Sequence, residues 1–455
     1  MIEADTVMRR SRRGPRLLTS ALLTTVTLAL LIGTTTASVD AATADAPARV
    51  GIVCTTGVGG AATAPIFNLT TKTGHISLPD GNTAFMWGYS SGFDDFQHPG
   101  PVLCVNSGDT VTVILHNTLP EAVSIAFPGQ TKVLADGLPA QPQFTGTGAL
   151  ASLTNTAAAG GGTVTYSFVA GDPGTYLYES GTNPEKQVRM GLFGALIVRP
   201  SAVPAGGAAG SSASEYADNR ADSRFDPAEE FMVLLSEIDP YQHQAVEDGK
   251  SFNMNNYHPR YWLINGRGFP DSIADNGASW LPSQPYGALA EVQEFDTSDP
   301  ADQPGMARYL NVGTEDYPFH PHGNNGLVVA RDGNALQGPT GQDLSFEKFA
   351  INIGPGQTWD VIFKWYDAEN YSVSNPVPVT VPQLANEEIG VFYSGSPYLG
   401  TMETLPPGIQ SVNQCGEYYI ISHNHALFQI TSWGVNMTGP ITYMRIDPPT
   451  PNNCG

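Results

Sequence analysis

An all-β fold of two tandem β-sandwiches is predicted by three observations. The 455-residue chain holds 49 Gly and 36 Pro, with 41% hydrophobic but only 14% charged residues, a composition that can bury a sizeable core and does not fit disorder. Short runs rich in β-branched and aromatic residues are punctuated by Gly, Pro and Asn, with little helical periodicity. The two halves of the chain then repeat one another's motifs in order.

Residues 1–44 stand outside that pattern. A basic start (Arg9, Arg10, Arg12, Arg13, Arg16), an apolar run from Leu17 to Ile32 and the small residues Ala42-Thr43-Ala44 have the layout of an export signal. The Arg12-Arg13 pair admits the twin-arginine route beside the general secretory one. No later apolar run reaches the length of a membrane span. Cleavage would remove five arginines and three acids and carry the net charge from −22 to −24. Such a surface repels nucleic acid and favours cations through its long-range field.

The first sandwich is expected over 45–200, with strands in "ARVGIVC", "PVLCV", "DTVTVILHN", "GTVTYSFV", "GTYLY" and "LFGALIV". Within it, Thr145 to Gly162 reads as a flexible loop. Residues 201–227 read as a linker too poor in apolar side chains to pack, and a second sandwich is expected over 228–455. Four cysteines in an exported chain argue for disulfides. Of three pairings, Cys54 with Cys104 and Cys415 with Cys454 keep each bridge within one half.

The repeat is explicit. "GTYLYESG" (Gly174 to Gly181) and "GEYYIISH" (Gly416 to His423) share one pattern, and "SIAFPGQ" (Ser124 to Gln130) matches "FHPHGNN" (Phe319 to Asn325) in position. The second half alone carries His-x-His pairs. His320 with His322 and His423 with His425 each present two imidazoles on one strand face, since side chains at i and i+2 point the same way.

The run "HPGPVLCVNSGDTVTVILHNTL" (His98 to Leu119), with "YWLINGRGFPD" (Tyr261 to Asp271), "ARDG" (Ala330 to Gly333) and "GPGQTWDVIFKW" (Gly354 to Trp365), resembles the multicopper oxidase family. The resemblance covers nearly the whole chain after residue 44. It implies plastocyanin-like (cupredoxin) Greek-key sandwiches and copper chemistry: a blue site of two His and a Cys thiolate, wired to a trinuclear cluster held by four His-x-His pairs.

Residue by residue, this chain departs from that ligand set. In the first half, Ala126 to Gly129 stand at the His-x-His-Gly motif, and Glu179 and Gly181 at the later pair. Tyr317 stands where the blue-site His is expected. The His-Cys-His of the last strand falls on Ile421-Ser422-His423 or on His423-Asn424-His425, so Ser422 or Asn424 replaces the thiolate. A full set needs about ten imidazoles. The chain has nine His, and His75, His98, His116, His243 and His258 lie off the motifs.

The intact blue-plus-trinuclear set is therefore not expected. Four histidines remain as candidate ligands of one mononuclear copper, or less readily zinc: His320, His322, His423 and His425. Glu315 and Asp316, just ahead of the first pair, are candidates to orient the rings or bind directly. The competing assignment makes His320 and His322 polar rim residues bonded to Asn324, Tyr317 or water. His98 and His258 read as exposed loop residues, Met437 as a core residue, and Arg189 as a partner of Glu185 or Glu179.

Two functions follow as expectations. One is a secreted copper-binding oxidoreductase acting on a small-molecule or metal-ion substrate. The other is a non-catalytic module that kept the sandwich and lost the metal. Two-domain relatives of the family imply a homotrimer.

Overall fold

The computed structural model describes residues 50–57, 63–299, 301–323, 325–365, 378–380, 410–412, 418–432, 434–435 and 437–448. The expected export signal, Cys415, Cys454 and Asn324 lie outside them.

Strand alternation builds the first sandwich. In Thr110–Asn117, Val111, Val113 and Leu115 are buried while Thr112, Ile114 and His116 are half-buried, the period of two that a sheet with one covered face demands. One sheet orders Cys54–Thr55, Val102–Asn106, Phe193–Arg199 and Gly174–Glu179; the facing sheet is led by Thr83–Ser91, Ile66–Ser77, Thr110–Asn117 and Gly162–Val169. Phe67, Trp87, Val113, Tyr166, Phe168 and Leu196 belong to the core between them.

The second sandwich repeats this wiring. Tyr418–Asn424 runs antiparallel to Ile441–Asp447, which runs parallel to Ala290–Gln293. In the first half, Gly174–Glu179 is likewise antiparallel to Phe193–Arg199, itself parallel to Val102–Asn106. In the facing sheets, Ile66–Ser77 runs parallel to Thr110–Asn117 as Glu230–Ile238 does to Gly305–Asn311. Even the motif positions correspond: Ala126 bridges Glu179 in the first half as His320 pairs with His423 in the second.

The sandwiches meet along an apolar seam that includes Val102, Leu177 and Ile197 from one and Met232, Leu234 and Leu310 from the other. Beside it the fully buried Arg308 guanidinium reaches Glu230, Asp360 and Thr175 Oγ1, the last at 2.9 Å. A buried cation is tolerated only when opposite charge and hydrogen bonds replace its water.

Three expectations are corrected. Segment 201–227 packs, with Tyr216, Ala217 and Phe225 buried. Arg220 anchors it through Asp218, Asp343 and the Val329 carbonyl, so a few large side chains outweigh the Gly/Ala/Ser background. His98 is buried rather than exposed, edge-on to Phe193 at the seam, while His258 is exposed as expected. Arg189 lies 3.9 Å over the Tyr257 ring, a cation–π contact, instead of pairing with Glu185 or Glu179.

The disulfide Cys54–Cys104 is present. Cys415 and Cys454 fall outside the described residues.

Candidate metal centre

Two antiparallel strands bring the four histidines to one place. In Tyr317–Pro321, Tyr317, Phe319 and Pro321 face the core, so His320 and the following His322 take the outer side. Pairing sets Phe319 opposite Asn424 and His320 opposite His423. Asn424 is therefore an inward residue, and His423 and His425 flank it on the outer side. A backbone bond from His425 N to the Pro318 carbonyl, 2.8 Å, continues the pairing past the strand end.

The rings form one cluster. His322 Nε2 stands 3.0 Å from His423 Nε2. Ring centroids are 4.5 Å apart for His320 and His322, and 5.4 Å for His320 and His425 as for His423 and His425. His320 Nδ1 lies 2.9 Å from the Phe349 carbonyl and His423 Nδ1 lies 2.8 Å from that of Asn424. A carbonyl only accepts, so both Nδ1 atoms carry the proton; His320 Nε2 keeps its lone pair, and that of His423 Nε2 accepts from His322 Nε2.

That arrangement is the one metal-ligating histidines use, with the far ring nitrogen tied to a backbone carbonyl. Two nitrogens each about 2.0–2.1 Å from one ion stand about 2.9–3.4 Å apart in square or tetrahedral geometry, and the His322–His423 spacing falls in that range. Burial foremost, then the neighbouring rings, pushes His322 down to about 4, and burial also lowers His423. Both rings therefore offer neutral nitrogen at ordinary pH.

The fit is partial. Among the described residues no set of three or more His, Cys, Asp or Glu stands ready to hold a metal ion. The 3.0 Å pair is the preorganised part, and His320 and His425 must turn toward it to complete a site. An open cavity of about 440 Å³ borders the cluster, lined by His320, Pro321, His322, Gly323, Asn325 and Phe349.

Glu315 and Asp316 do not orient the imidazoles. Glu315 Oε2 accepts from Trp262 Nε1 at 2.9 Å and from Gln429 Nε2 at 2.5 Å, and Asp316 is exposed. Tyr317 cannot serve as their rim partner either, because its buried hydroxyl donates to Glu237 Oε2 at 2.6 Å. Met437 packs against the Phe269–Tyr443 cluster, as expected of a core methionine. Sequence reasoning missed Gln429, Trp262 and Phe349. Gln429 and Trp262 meet only through tertiary folding, and Phe349 contributes a backbone carbonyl that no sequence motif marks.

The equivalent end of the first sandwich is filled differently. Ser124 Oγ, Ser152 Oγ and Thr182 Oγ1 bond one another at 2.8–3.2 Å, beside the half-buried Glu179, whose carboxyl burial raises. Among the described residues the only cysteines, Cys54 and Cys104, are bonded to each other.

The fold and the paired strand ends define a tandem cupredoxin-like protein. In comparison with known proteins, residues 70–203 match the family model described as multicopper oxidase. The chain is 30% identical over 314 residues to an L-ascorbate oxidase of Cucurbita maxima and 34% identical over 300 residues to that of Cucumis sativus. These alignments cover 65% and 63% of this chain but 45% and 44% of the relatives, so it spans under half their length. Two solved structures share the fold: a multicopper oxidase, mgLAC (TM-score 0.53, 18% identity, 84% of this chain and 86% of that one), and a blue copper oxidase from Nitrosomonas europaea (0.52, 17%, 84% and 85%). Residues 70–203 thus carry a multicopper oxidase domain match, and the chain is similar to multicopper oxidases beyond it.

Proposed function

We propose that this is a secreted oxidoreductase of reduced design, with one mononuclear copper centre at His322 and His423, completed by His320 and His425. The observation that carries the reading is the 3.0 Å approach of two ε-nitrogens, one of them, His423 Nε2, with its lone pair set by a carbonyl on the far side of its ring. When bound, copper would supply one-electron redox chemistry toward a small-molecule or metal-ion substrate. The chain's own part is to hold neutral imidazoles at a surface cavity and to wall that cavity with Phe349.

The blue-plus-trinuclear design is not part of this proposal. Asn424 occupies the inward position between the two ligand histidines, and an amide cannot give the soft, covalent bond of a thiolate to copper. The first sandwich brings hydroxyls and Glu179 to its equivalent end. A metal-free binding module is the second reading, favoured by the lack of a ready three-donor set among the described residues.

Assembly as a homotrimer belongs to the same proposal. Residues 137–171 and 418–444 contain no Asp, Glu, Lys or Arg in a chain of net charge −22. They carry the exposed Leu138, Phe144, Leu150 and Leu153, and the exposed Leu427 and Phe428. Uncharged apolar ends are where otherwise repelling copies can touch.

Metal analysis of protein purified without added copper, followed by Cu(II) titration, tests the reading. One copper per chain is expected, with His322→Ala and His423→Ala each weakening Cu(II) affinity at least about 100-fold through loss of a direct ligand. Equal uptake by wild type and both variants would refute the assigned ligands, and no uptake by wild type would favour the metal-free module.

A further inference from the structure

We propose that Gln429 is a positioning residue for the histidine centre, an inference that rests on the metal reading above. Its carboxamide is buried and bonds two segments at once. Its Oε1 accepts from Asn424 Nδ2, and its Nε2 donates to Glu315 Oε2 at 2.5 Å and approaches the Asp316 carbonyl at 3.4 Å. Trp262 Nε1 donates to the same Glu315 oxygen at 2.9 Å.

These bonds join the two strand ends that bear the imidazoles. Asn424 lies between His423 and His425, and Glu315 and Asp316 lead directly into the strand that carries His320 and then His322. The turn Leu427–Ile430 folds Gln429 back beneath that junction. Among the described residues no other group fixes the Asn424 side chain, whose Oδ1 is buried without a partner. Ligand geometry has to be held to about 0.5 Å to be productive, so a hinge at either strand end would open the 3.0 Å nitrogen pair.

The bonding pattern also has a polarity that can be exchanged. Gln429 donates where Glu315 accepts, so Gln429→Glu sets two carboxylates against each other. Adding Glu315→Gln restores one donor and one acceptor across the same contact; because Trp262 Nε1 and Gln429 Nε2 share one Glu315 oxygen, the new carboxamide has to turn its own oxygen toward Trp262.

The test is Cu(II) affinity and Cu(II) electron paramagnetic resonance on the full chain, wild type against Gln429→Leu, Gln429→Glu and the Glu315→Gln/Gln429→Glu pair. Gln284→Leu serves as a control, since Gln284 is an equally buried amide that ties Ser77 to Gly266. Gln429→Leu and Gln429→Glu are expected to weaken Cu(II) binding about 10–100-fold, the usual effect of losing support behind a ligand, and to change the copper hyperfine splitting. The exchanged pair should return within about threefold of wild type, and Gln284→Leu should lower thermal stability without moving affinity or spectrum. Should Gln429→Leu fail to fold, Gln429→Glu and the exchanged pair decide the matter. Wild-type affinity and spectrum in a folded Gln429 variant, or no recovery in the exchanged pair, would overturn the positioning role alone. A wild-type chain that takes up no Cu(II) would overturn the metal reading beneath it.

Discussion

Glu229 shows how one side chain sets a pH response. Its Oε1 accepts from Gln293 N at 2.7 Å, while Oε2 is buried without a partner. Burial foremost, and then Asp226, Asp302 and Asp447, pushes its carboxyl up to about 8. The folded state thus holds a proton that the unfolded chain releases near 4.5. The resulting stabilisation is complete below that value and is lost as pH rises toward 8, at up to about 1.4 kcal/mol per pH unit. Glu229→Gln keeps the acceptor and removes the titration. Thermal melts at pH 5 and pH 8 should show a small difference between variant and wild type at the lower pH. The variant's advantage should grow to the order of 1–3 kcal/mol at the higher; a constant difference would show that Glu229 does not titrate in this range.

At the scale of elements, the disulfide staples the short strand Cys54–Thr55 to Val102–Asn106 across a 50-residue separation. Cys54→Ala/Cys104→Ala should lower unfolding free energy by about 2–5 kcal/mol in urea titration, and no loss would mean that packing alone holds the first strand. This bridge and the histidine strands were legible in the sequence for physical reasons. A His-x-His on a strand has only one geometry, and motifs in repeated order imply repeated wiring. Gln429, Glu315 and Trp262 were not legible, because their contacts join positions 53 to 167 residues apart with no periodic signature. The packing of 201–227 was hidden for a related reason: Tyr216, Arg220 and Phe225 are three side chains among many small ones, and composition averages them away.

For the whole molecule, the acidic surface and the two uncharged ends make opposite demands. Charge would keep copies apart, and in the proposed trimer the apolar ends would draw them together. Leu150→Asp and Phe428→Asp should each turn the proposed trimer into monomer in sedimentation at physiological salt, and monomeric wild type would remove the assembly from the account. The most direct test of the central claim is the optical and paramagnetic spectrum of copper-loaded protein with its copper content. The account predicts one Cu(II) per chain, with nitrogen hyperfine structure and without an intense blue thiolate band. An intense blue band, or three or more coppers per chain with oxygen consumption, would contradict it.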